Sequence, residues 1–244
     1  MPNPVIAPGG APDLAGFREA YPAARTFYAP AHPSNYRSPR TDPHPWRGIV
    51  WHTAEEDAHD GIFVAPWWFQ QIHPGQEGST YLALEGDGDL YQCVQFDDYA
   101  FAQGATLRNA SGPDLLILSE GITNYNNGLM SVELEGRAAT INETFTRGAA
   151  QWRTAVRFAA WFCLEHDIPI DRDHMLGHHE IPNQSHWDPN FAPPVWDALL
   201  EDIHLEAAKL RSVNAAPSVE VGTHTHVLRR APLFKTGPPL FEAT

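Results

Sequence analysis

The chain is poor in cysteine, in lysine and in long apolar runs. Its 244 residues include two cysteines, Cys93 and Cys163, far apart and each set in an apolar stretch. That reads as two buried free thiols and excludes a Cys-x-x-Cys metal or redox motif. Lys209 and Lys235 are the only lysines, so the positive charge is almost all arginine. The 16 basic against 30 acidic residues leave a net charge of −14, which argues against a surface built for nucleic-acid phosphates. No stretch is apolar for long enough to span a bilayer, so no membrane insertion is expected. Residues 1–10 carry neither a basic n-region nor an apolar h-region, and no Sec signal peptide is expected. No internal repeat with a period of roughly 20–50 residues occurs.

Apolar and aromatic residues are plentiful. The hydrophobic fraction is 43%, with 8 Trp, 12 Phe and 7 Tyr. This is a globular composition, long enough for one domain with a substantial core plus extensions. Proline punctuates residues 1–45, which read as an arm packed on the domain, with a short helix around 14–21. Residues 213–244 lack periodicity and read as a tail.

Between them the pattern alternates between strand and helix. Residues 48–52 (Gly-Ile-Val-Trp-His) predict a buried strand, followed by the acidic loop Glu55-Glu56-Asp57. Pro66 suits the first position of a short helix that runs to residue 72. Residues 80–84 and 89–94 predict two strands joined by the tight turn Glu85-Gly86-Asp87-Gly88. Residues 130–136 predict another strand. Its alternation puts Ser131, Glu133 and Glu135 on one face and Met130, Val132 and Leu134 on the other. The clearest helix is predicted over 146–166, with Trp152, Val156, Ala159 and Cys163 as its apolar stripe. A second long helix is predicted over 194–211, with Val195, Leu199, Ile203, Ala207 and Leu210 on one face. The expected fold is α/β, a central mixed sheet flanked by helices.

Thirteen histidines make any single one uninformative, so position decides. His52 ends a buried strand and opens a polar loop, where a rigid scaffold presents side chains to a cleft. Residues 177–189 (Gly-His-His-Glu-Ile-Pro-Asn-Gln-Ser-His-Trp-Asp-Pro) pack three histidines, a Glu and an Asp into a loop between two helices. Three ligands of imidazole and carboxylate type, with a fourth position open, are what a catalytic zinc requires. A solvated loop with incidental histidines fits that composition equally well.

The ordered motifs say more. Ile49-Val50-Trp51-His52-Thr53-Ala54 is followed by Tyr81-Leu82 and by Gly86-Asp87-Gly88-Asp89-Leu90-Tyr91-Gln92. Then come Asn127 with Ser131-Val132-Glu133-Leu134-Glu135-Gly136, and Gly177-His178-His179-Glu180-Ile181-Pro182 with Asp188-Pro189. Over roughly residues 46–212 this series resembles the type 2 N-acetylmuramoyl-L-alanine amidases, the superfamily of phage endolysins, bacterial autolysins and peptidoglycan recognition proteins. The resemblance implies a zinc ion held by His52, His178 and Asp188, the last ten residues after His178. It also implies Glu133 as the acid/base residue, with Glu135 on the same face as its competitor.

The chain departs from the family pattern in three places. His186 stands where many members carry a lysine that stabilises the oxyanion, and histidine can still donate a hydrogen bond. Ser79 is the nearest match to a catalytic tyrosine of some members, so that role is not carried over. The segment Gly78-Ser79-Thr80-Tyr81-Leu82 lacks the family's histidine. Trp67, Trp68 and Trp187 are candidates for lining a substrate groove, or are ordinary core aromatics. His224-Thr225-His226 reads as part of the solvated tail.

The resemblance therefore implies zinc-dependent cleavage of the bond between N-acetylmuramic acid and L-alanine in bacterial peptidoglycan, by a monomer. The missing signal peptide suits an endolysin released through a holin, or a cytoplasmic enzyme that recycles soluble muropeptides. A peptidoglycan-binding module without catalysis is the further alternative. Such members of the superfamily typically lack a zinc ligand, and here all three ligand positions are filled.

Overall fold

The computed structural model describes residues 4–7, 10–40, 45–56, 64–104, 125–181 and 186–215. The tail from residue 216, with His224 and His226, lies outside the described residues. So do Asp57 of the acidic loop and residues 182–185 of the histidine-rich cluster.

Eight strands are described: β1 (Thr26–Tyr28), β2 (Tyr36–Arg37), β3 (Gly48–Thr53), β4 (Leu82–Leu84), β5 (Leu90–Gln92), β6 (Tyr99–Ala100), β7 (Leu129–Leu134) and β8 (Met175–Gly177). Six of them form the central sheet in the order β1-β5-β4-β7-β3-β8, while β2 and β6 make a separate antiparallel pair. The sheet is mixed, as expected. β4 and β5 are an antiparallel hairpin, and every other neighbouring pair in it is parallel. The helices are α1 (Ala15–Ala20), α2 (Val64–Phe69), α3 (Ile141–Thr144), α4 (Ala150–Glu165) and α5 (Pro193–Ala215).

β3 is buried along its whole length, which explains its continuous run of β-branched and aromatic residues. It lies between β7 and β8 and brings the backbone very close to a neighbour. A side chain at Gly48 would strike the carbonyl of His174, so only glycine fits there. α4 shows more than the single stripe expected of it. Trp152, Val156, Ala159 and Cys163 are buried, but so are Gln151, Thr154, Ala155, Phe158, Ala160, Trp161 and Phe162. The reason is that α4 is covered on several sides, by α1 through Phe17, by α5, and by β4. Phe158 and Phe162 are fully or almost fully buried, each contributing about 1.5–3 kcal/mol of apolar burial.

Three expectations about elements need correction. α2 begins two residues before Pro66 and stops at Phe69 rather than running to residue 72. Proline is tolerated throughout a first turn because the N–H groups there have no intrahelical acceptor. α4 starts at Ala150 instead of 146, because Gly148 sits in the left-handed region (φ +85°) and closes a turn first. The arm is more than a surface strap. It supplies β1, an edge strand of the central sheet, and it buries Leu14 and Phe17.

Candidate metal centre

β3, β7 and β8 run parallel, so their carboxyl ends lie at the same edge of the sheet, where ligand sites of open α/β sheets form. His52 is the penultimate residue of β3 and is level with Glu133 on β7. β8 pairs Gly177 with Trp51, and the chain then turns through a single 3-10 turn, His178–Glu180. That turn places His178 beside His52, their ring centroids 4.2 Å apart. The loop returns through Asp188, whose carbonyl accepts the His179 backbone N–H at 2.9 Å. Its Oδ2 accepts the Thr53 backbone N–H at 3.0 Å. The Asp188 carboxylate is thereby aimed at the end of β3.

The expected ligand residues therefore converge. His178 Nδ1 is 3.3 Å from Asp188 Oδ1, and His52 Nδ1 is 3.8 Å from Asp188 Oδ2. One ligating atom from each of the three lies within 4.8 Å of the other two, and all three side chains are buried. His178 Nε2 is buried with no hydrogen-bond partner among the described residues. Two imidazoles and a carboxylate whose ligating atoms lie this close together are a donor set that suits zinc.

The electrostatics reflect the crowding. Burial, then the His178 charge, push the His52 imidazole down to about 3. Burial alone would raise Asp188, but the His178 hydrogen bond and the charges of His52 and His178 outweigh it and bring the carboxyl to about 2. Glu133 is driven well above the ordinary carboxylate range, first by burial and then by the charges of Asp188, Glu56 and Glu55. These three carboxylates and Glu133 all line a cavity of about 880 Å³, together with His52, His178 and His186.

The other expected residues separate. His186 stands at the rim, its side chain 60% exposed, with Nδ1 3.7 Å from Asp188 Oδ1 and its ring stacked on His178 at 4.6 Å. Trp68 lines the cavity, stacked on His73 at 4.0 Å. Trp67 and Trp187 are not among the cavity-lining residues, and Trp187 is 54% exposed. Glu135, the competitor of Glu133, lies just beyond β7 and is turned to structure: its Oε2 accepts the Gly86 backbone N–H at 2.5 Å. Glu180 accepts the Gly177 backbone N–H and pairs with Arg172, so it braces the turn. Sequence reading missed Phe101 and Gln103. Phe101 lines the cavity, and Gln103 Oε1 stands 3.0 Å from His52 Nε2.

The N-acetylmuramoyl-L-alanine amidase family model matches residues 42–191, more than half of the chain. The chain belongs to this family. No curated protein matches it by sequence. Solved structures similar to this amidase family member include a selenomethionine derivative of AmpD, at 23% identity and a TM-score of 0.49, covering 74% of this chain and 97% of that one. AmiA of Staphylococcus aureus, in complex with its ligand, is 14% identical with a TM-score of 0.49, covering 89% and 100%. The amidase LysC from Clostridium intestinale URNW is 14% identical with a TM-score of 0.43, covering 68% and 92%.

Proposed function

We propose that the chain hydrolyses the amide between N-acetylmuramic acid and L-alanine in bacterial peptidoglycan, as an endolysin-like wall-lytic enzyme, with zinc held by His52, His178 and Asp188. The observation that carries this reading is the convergence of those three ligating atoms within 4.8 Å beside a strand that bears a carboxylate level with His52. Zinc at that site supplies a Lewis acid for the amide carbonyl and makes water more acidic.

The chain's own residues do the rest. Glu133 accepts a proton from the attacking water, whose oxygen joins the lactyl carbonyl carbon. The carbon–nitrogen bond breaks, Glu133 returns the proton to the alanine nitrogen, and the products are a free amine and a lactyl carboxylic acid, which then releases its proton to solvent as the carboxylate. The raised affinity of Glu133 for a proton, caused by burial and its carboxylate neighbours, suits a group that must hold and then release one. His186, at the rim, donates to the developing oxyanion. Trp68 forms an aromatic wall for the substrate, and of the three tryptophans it is the one that lines the cavity. Residues 46–212 are the catalytic domain, residues 1–45 are an arm that completes its sheet and core, residues 213–244 are a tail, and the protein acts as a monomer.

The test is digestion of purified sacculi. Lysis should stop on chelation and return when zinc is added back. Activity confined to soluble muropeptides would instead favour a recycling role, and wall binding without product would favour a non-catalytic module.

A further inference from the structure

We infer that Gln103 is a positioning residue for the metal centre, holding His52 by its Nε2 so that Nδ1 is the atom offered to the metal. The inference rests on the reading of His52, His178 and Asp188 as metal ligands.

A neutral imidazole carries one N–H and one lone pair, and the partner of one nitrogen decides what the other can do. His52 Nε2 lies 3.0 Å from Gln103 Oε1, an atom that only accepts hydrogen bonds. The hydrogen therefore sits on Nε2, and the lone pair sits on Nδ1, which faces Asp188 at 3.8 Å. The opposite tautomer would point an N–H at Asp188 and block the ligand position. This is the arrangement by which an outer partner fixes a metal-ligating histidine.

Gln103 is itself held. It is fully buried, and its backbone N–H donates to Asn126 Oδ1 at 2.6 Å, as does that of Ala102 at 3.2 Å. Asn126 belongs to the 3-10 turn Tyr125–Asn127 that leads into β7, the strand carrying Glu133. The loop after β6 is thus tied to one strand of the site while its side chain orients the ligand on another. His178 has no such brace on its far nitrogen, which is buried without a hydrogen-bond partner among the described residues. Of the two imidazoles, His52 is the one whose geometry is set before the metal arrives.

The experiment measures zinc affinity of the full chain by competition with a chromogenic chelator, for the wild type, Gln103→Met and Gln103→Glu. The 15N chemical shifts of the His52 ring in the zinc-free wild type are recorded alongside. Methionine keeps the volume and loses the acceptor, so Gln103→Met should weaken zinc binding by about 10- to 100-fold. Gln103→Glu keeps the acceptor and should retain wild-type affinity. The ring should carry its hydrogen on Nε2, and the methionine variant should regain most of its turnover at saturating zinc. Undiminished affinity in Gln103→Met, equal loss in both variants, or a hydrogen on Nδ1 would each overturn the inference and leave the metal centre standing. A wild type that binds no zinc would overturn the metal centre itself, and the inference with it.

Discussion

At the scale of single residues, the groups proposed to hold the metal differ from those proposed to move protons. Glu133→Gln should lower kcat by about 10²- to 10⁴-fold while zinc still binds, because the amide fills the same space but cannot take a proton. Full lytic activity in a zinc-loaded Glu133→Gln protein would refute its role as base. His186→Ala should reduce turnover more than it reduces zinc affinity. Equal loss of both would make His186 a ligand, a role its 60% exposure does not favour. The trio was legible through the ordered motifs of the family resemblance; local composition alone fitted a solvated loop around His178 and Asp188 equally well, and marked His52 only as a strand-end candidate. Gln103 was not legible. A buried glutamine that meets a histidine 51 residues away leaves no local pattern, and only the folded loop brings the two together.

At the scale of elements, Glu135 and Gly48 hold the strands of the site in place. The alternation of β7 puts Glu133 and Glu135 on one face, and sequence alone could only rank them. The fold separates their tasks, since Glu135 fastens the β4–β5 turn through Gly86 while Glu133 lines the cavity. Glu135→Ala removes the carboxylate acceptor of that N–H, which belongs to an exposed glycine and can turn to water, and should cost about 0.5–1.5 kcal/mol in urea unfolding, with zinc affinity unchanged. A folded Glu135→Ala protein that binds zinc but has lost catalysis would transfer the base role to Glu135. Gly48→Ala pushes a methyl group into the His174 carbonyl, which is backbone and cannot swing aside. It should destabilise the protein by about 1–3 kcal/mol, read as a lowered unfolding midpoint. The long helices and the hairpin were visible from periodicity and turn chemistry. β1 and β8, of three residues each, were not, because so short a run cannot display a period of two.

At the scale of the whole molecule, stability and function meet in the histidines. His166 closes α4 against Trp46 and Phe162. Burial first, and then the charge of Arg40, depress its pKa from 6.5 to about 4, against the opposing pull of Asp167. The unfolded chain therefore takes up the proton before the folded chain does. Stability contributed by neutral His166 is complete above pH 6.5 and is lost as pH falls toward 4, by up to roughly 3 kcal/mol. His166→Phe should flatten this part of the stability–pH curve, measured by urea unfolding at saturating zinc. An unchanged slope would remove His166 from the acid response.

The central claim concerns one bond, and mass spectrometry of the products from digested peptidoglycan tests it most directly. The account predicts glycan strands whose muramic acid ends in a free lactyl carboxylate, together with stem peptides that begin with a free L-alanine amine. Muramic acid that still carries its peptide, with cleavage found between sugars or within the stem instead, would contradict it.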